Sequence, residues 1–194
     1  MAASIAHRSN LNFMVSSADN ARAFRFGLRF LLVCTVCYGL FNILPSSFHA
    51  VPLCRWTAES TGLLLGLMGC QATVDGITIH IPGFSVRIIT ECTAIFVAIL
   101  FISFVAAFPS TLRQKAFGLI FGIPFLIAFN LVRLAAIIAV GAKSRPLFEV
   151  LHVYIGQIGM ILVVIALSML WLRNVLDIRT QDTPLLFLGR FLVF

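Results

Sequence analysis

The chain has 194 residues, of which 60% are hydrophobic and only 11% charged, with 19 phenylalanines and a formal net charge of +7. That composition excludes an ordinary soluble domain and fits a single integral membrane unit over residues 1–194 with a handful of spans. The basic residues stand singly between apolar segments, so they read as topology signals and not as a nucleic-acid surface.

Residues 1–21 are polar and mixed, and they are expected to form an unstructured or surface-lying tail. Arg22, Arg25 and Arg29 lead into the first apolar run, which predicts a spanning helix over residues 24–44 with the N-terminus in the cytoplasm. That run starts late and continues without a small-residue cleavage site, so no cleavable signal peptide is expected. Cys34 and Cys37 have the spacing of a dithiol redox motif but stand inside the apolar helix, where two small buried side chains are the simpler reading.

Residues 45–56 read as an interfacial loop. Residues 61–69 read as a short interfacial or re-entrant helix, too short to cross a hydrocarbon core of about 30 Å. Cys54 and Cys70 flank it on the expected outer side, where either a disulfide or two free thiols is chemically allowed. The five cysteines form no zinc-spaced cluster with histidine, and no metal or other cofactor is expected.

From Val74 the period changes to two. Ile77, Ile79 and Ile81 alternate with Thr78 and His80, and Phe84, Val86 and Ile88 alternate with Ser85 and Arg87, with Pro82-Gly83 between the runs. This predicts a small β-hairpin on the outer face, joined by a type II turn and preceded by a turn at Asp75-Gly76. Thr90 is the expected N-cap of the next helix, whose apolar run covers residues 94–108 and puts Cys92 in its first turn. Residues 109–115 carry Arg113 and Lys115 and form a cytoplasmic loop. A helix over residues 116–142, kinked at Pro124, returns outward and holds Arg133 roughly two turns from its outer end. The last span covers residues 153–172, and the apolar segment after Pro184, with Arg190 in it, is an expected interfacial tail over residues 180–194. The architecture is therefore an all-α polytopic membrane protein of about four transmembrane helices, with an interfacial helix and an outer hairpin.

This topology brings Cys92, Arg133 and His152 to one leaflet. A thiol at a helix start feels the positive end of the helix dipole, which favours thiolate, whereas Glu91 beside it opposes ionisation. Arg133 is an ionised side chain inside an apolar helix, which is costly and marks a site or pathway unless it snorkels to the headgroups. Asn130 lies one turn earlier on the same face. His152 titrates near neutrality, with Glu149 one turn back to orient it and Gly156 one turn on to leave room beside the ring. A nucleophile, a general acid or base and a fixed cation are the parts of thiol-dependent acyl transfer.

The run from Asp75-Gly76-Ile77-Thr78-Ile79 through Ile81-Pro82-Gly83, the Cys at a helix start, the stretch Asn130-Leu131-Val132-Arg133, and His152 with Gly156 together resemble the exosortase and archaeosortase family. The likeness covers residues 72–172. Many members follow the cysteine with Ser and Gly, whereas Thr93 and Ala94 stand here. The resemblance implies a cysteine peptidase or transpeptidase in the bacterial cytoplasmic membrane, with its active site at the outer face. Its partners would be membrane lipid and exported proteins bearing a C-terminal sorting signal (PEP-CTERM-like) and transmembrane anchor, often alongside exopolysaccharide production. Carried onto this chain, Cys92 is the nucleophile, Arg133 the central arginine and His152 the third member. Two other classes stay open on the residues alone: a non-catalytic membrane scaffold or export subunit, and a thiol redox protein using Cys34 and Cys37.

Overall fold

The computed structural model describes residues 2–182, with side chains described over residues 20–176 apart from positions 46–48, 145, 149, 153 and 155. In chain order it contains α1 (Ala2–Ile43), α2 (Ser46–Leu67), β1 (Thr73–Asp75), β2 (Thr78–Ile81) and β3 (Phe84–Arg87). A 3-10 turn (Thr90–Cys92), α3 (Ile95–Ala107), α4 (Leu112–Gly141), α5 (Arg145–Val150), a π-helical segment (Leu151–Ile155) and α6 (Gly156–Asp182) follow. The expected tail after Pro184, Arg190 included, lies outside the described residues.

Among the described residues, three helical stretches are long and apolar enough to cross a bilayer: Asn20–Ile43, Leu112–Gly141 and Gly156–Leu176. The fourth expected span, α3, carries no charged residue but is only 13 residues long, a rise of about 20 Å against a core of about 30 Å. Helix α1 begins at Ala2, so the polar segment expected as an unstructured or surface tail is helical backbone. The larger correction falls on residues 45–69, where loop and short helix are replaced by one 22-residue helix, α2, running through Pro52. It holds because Ala50, Cys54, Ala58, Thr61 and Leu65 recur at helical spacing and are all buried. The hydroxyl of Thr57 bonds back to the Leu53 carbonyl at 2.8 Å, which removes a polar group from that buried face.

The alternating run forms a sheet of three strands instead of a two-stranded hairpin, in the order β1-β2-β3 and antiparallel throughout. Gly76 at φ 60° and Gly83 at φ 77° supply the left-handed positions of its two turns. Pro82 followed by positive-φ Gly83 is the expected type II turn. One face of the sheet, through Ile79 and Ile81, packs with Ile88, Cys92, Leu134 and Ile138 into a core that also takes in Cys54, Ala58 and Leu65 of α2.

Helix α4 starts earlier than the apolar run indicates, because Thr111 and Gln114 form a reciprocal capping box at its N-terminus. Pro124 lies within it and the helix continues unbroken to Gly141. In lipid, where apolar side chains gain little by leaving their surroundings, close packing at small residues holds helices together. Here Gly118 accepts the Trp171 indole and Gly122 the Phe101 ring, each in space that a Cβ would occupy. The end of the bundle away from the sheet is tied by Trp171 Nε1 donating to the Gln114 carbonyl at 3.1 Å and Lys115 Nζ donating to the Ala106 carbonyl at 2.6 Å.

Candidate active site

Cys92 lies in the 3-10 turn and not in the first turn of α3, whose N-cap is Ala94. The local sequence explains this. The Thr93 hydroxyl donates to the Thr90 carbonyl at 2.7 Å and accepts from the Ile95 amide at 3.4 Å, so a threonine after the cysteine closes a separate turn ahead of the helix. Thr90 begins that turn and caps nothing. The Cys92 amide in turn donates to the Ile89 carbonyl at 2.9 Å.

The sulfur is therefore not held as a thiolate by a helix start. Cys92 is 3% exposed, and burial pushes its thiol above the ordinary cysteine range, against the lowering effects of its Ile89 hydrogen bond and the Arg133 charge; Glu91 pushes the same way as burial. At rest the Cys92 side chain is therefore the neutral thiol.

Asn130 and Arg133 project from the same side of α4, three residues apart. The Asn130 side chain, 2% exposed, donates from Nδ2 to the Cys92 carbonyl at 2.9 Å and so ties the cysteine turn to α4. Arg133 does not snorkel. Its Nη1 donates to the Gly156 carbonyl at 2.6 Å, while Nε is buried without a partner among the described residues. Gly156 makes this possible, since a Cβ there would stand 3.0 Å from Nη1 and 3.1 Å from the Leu151 carbonyl oxygen. The space that the sequence assigned to the imidazole is occupied by the guanidinium.

His152 sits in the π-helical segment, where the Gly156 amide reaches back to the Leu151 carbonyl. Such one-turn irregularities re-aim side chains and recur at functional sites. The ring stacks on Phe148, centroids 5.4 Å apart and planes 9° from parallel, and Phe148 itself packs edge-on against Phe84 of β3. Phe148 is thus the neighbour that orients the imidazole, one helical turn back, a signal present in the sequence but overlooked beside Glu149. The Glu149 side chain lies outside the described residues. Burial first, and the Arg133 charge second, hold the His152 pKa below the ordinary histidine value, so the resting imidazole is neutral.

Cys92 and His152 line one cavity of about 250 Å³, together with residues 84–87 of β3, Ile89 and Phe148. Arg133 is near enough for its charge to act on both. A second cavity, of about 180 Å³ and almost wholly apolar, lies between α2, α3 and α4 with Asn130 in its wall. Among the described residues no group of three or more His, Cys, Asp or Glu side chains could hold a metal ion. All five cysteines are free, Cys54 and Cys70 among them, and Cys34 and Cys37 stand within the first candidate span.

A family model described as transmembrane exosortase (Exosortase_EpsH) matches residues 10–188. The chain belongs to the exosortase family. The match extends well beyond residues 72–172, taking in α1 and α2 as parts of this exosortase. No curated protein and no solved structure matches the chain.

Proposed function

We propose that this exosortase is a membrane-embedded cysteine peptidase or transpeptidase that cleaves the C-terminal sorting signal of exported proteins. The observation that carries the reading is the single cavity lined by Cys92 and His152, with Arg133 fixed behind it against Gly156. Neutral His152 takes the Cys92 proton as the sulfur attacks the scissile carbonyl. The oxyanion that develops meets the Arg133 charge, which is already oriented by the Gly156 carbonyl in a water-poor setting. As the tetrahedral intermediate collapses to a thioester, the imidazolium returns the proton to the departing amine. Water or an acceptor amine then releases the acyl group and restores the thiol.

The distribution of charge supports an outer-face site in the bacterial cytoplasmic membrane. Arg22, Arg25, Arg29, Arg113, Lys115 and Arg173 gather at the end where Phe26 meets Phe108 and Trp171 meets Gln114, opposite Cys92, and outnumber Arg87, Lys143 and Arg145 toward the Cys92 end. By the positive-inside tendency that end, with the N-terminus, faces the cytoplasm.

The Arg133 to Gly156 bond also suits a purely structural role joining α4 to α6, as in a non-catalytic scaffold. Co-expression with a tagged exported protein ending in a short polar signal, an apolar helix and a basic tail separates the two. The Cys92→Ala variant is expected to insert normally and leave that protein unprocessed. Processing at the parental rate by this variant would establish the scaffold instead.

A further inference from the structure

The cavity at Cys92 runs along a strand edge. Side chains of a strand alternate between its two faces, so one face could offer the cavity only residues 84 and 86 or only 85 and 87. All four line it. The cavity therefore follows the outer edge of β3, the side away from β2, and it reaches Cys92 and His152.

The pairing register says which main-chain groups meet it. Ile81 opposite Phe84 flanks the two-residue turn, and the Ile88 amide donates to the Ile77 carbonyl at 2.8 Å. Phe84, Val86 and Ile88 thus turn their N–H and C=O groups toward β2, while Ser85 and Arg87 turn theirs outward. An unpaired edge with donors and acceptors at every second residue is a template for one more strand.

Resting on the acyl-transfer reading, we propose that the substrate peptide binds by adding to β3 as an extended strand, hydrogen-bonded through Ser85 and Arg87, so that its backbone leads the scissile carbonyl to Cys92. The occupant is an extended peptide and not a helix or a lipid chain, because the free groups are main-chain donors and acceptors spaced for β pairing. Recognition of this kind is insensitive to side chains at the paired positions. It also requires the sorting signal to unwind from any helix before cleavage.

The test uses acetyl-tetra-alanyl chloromethyl ketone on the full-length protein in detergent, with iodoacetamide as the small control reagent. Cys92 displaces chloride from the methylene carbon to form a thioether, releasing chloride and a proton, and the adduct is followed by mass spectrometry. N-methylating the peptide one amide at a time is expected to slow labelling at alternate positions only. Each sensitive position should lose about five- to tenfold, the effect of one main-chain hydrogen bond. Ser85→Pro, which removes an outward N–H without touching the β2 ladder, should slow the peptidyl reagent and leave iodoacetamide labelling of Cys92 unchanged. Equal tolerance of N-methylation at every position would overturn strand addition, and so would equal labelling of Ser85→Pro by the peptide. Either result is independent of whether Cys92→Ala abolishes processing, so a failed docking model and a failed catalytic reading are told apart.

Discussion

At the residue scale, burial sets the resting protonation of the candidate site. Burial keeps Cys92 protonated and His152 neutral, and the Arg133 charge lowers the pKa of both groups, favouring the thiolate and disfavouring the imidazolium. Because neutral imidazole is the form that accepts the thiol proton, activity falls as pH drops through the His152 pKa. Since that pKa is lowered in the folded protein, the acid limb of the rate profile is expected below the ordinary histidine value of about 6.5. A limb at or above that value, measured on processing of a tagged substrate, would remove His152 from the base role. Replacing Arg133 by Lys keeps the charge but not the planar donor fork, and processing is expected to fall by about 10²–10³-fold, as for other lost oxyanion donors. That Cys92, Arg133 and His152 come close together was legible in the sequence because ionisable groups stand out among apolar ones. Their protonation states were not. No helix start acts on the sulfur, because the Thr93 hydroxyl closes a separate turn at Thr90 and leaves α3 to start at Ile95.

At the element scale, the site depends on helices approaching where side chains are missing. Gly156 is the sharpest case. Gly156→Ala would put a methyl 3.0 Å from Arg133 Nη1, forcing the guanidinium off its carbonyl. Processing should drop at least tenfold while the protein still inserts, which immunoblotting of membrane fractions alongside the processing assay will show. Gly122→Ala meets the Phe101 ring instead, remote from the thiol. That overpacking is expected to cost about 1–3 kcal/mol, read as a lower thermal midpoint in detergent. Strands β2 and β3 were readable from alternation and from Pro82-Gly83, since period two is visible in six residues, whereas β1, three residues long, was too short to show it. Helix α2 was not readable either. Its buried stripe runs through Ala50, Cys54, Ala58 and Thr61, small or polar residues that do not register as an apolar face, before it reaches Leu65, and Pro52 reads as a break although the helix passes through it.

At the scale of the whole molecule, Arg22, Arg25, Arg29, Arg113, Lys115 and Arg173 stand at one end of the bundle and Cys92 with His152 at the other. The short helix α3, 13 residues, packs along α1, with Phe26 against Phe104 near one end and Phe41 against Phe96 near the other. Cys92, the sheet and the start of α6 stand beyond its N-terminus. If the Cys92 end faces outward, a cysteine at exposed Thr73 should react with a membrane-impermeant maleimide in spheroplasts, above the labelling of the parent protein. A cysteine at exposed Arg113 should react only after lysis. The reverse pattern would invert the topology. The most direct test of the account is capture of the acyl group, because a thioester on Cys92 is cleaved by hydroxylamine to a hydroxamate and a free thiol. With a co-expressed tagged substrate, the processed protein is predicted to carry a C-terminal hydroxamate when hydroxylamine is present, and the Cys92→Ala variant to yield none. Processing by Cys92→Ala to a plain carboxylate, untouched by hydroxylamine, would contradict thiol-dependent acyl transfer in this chain.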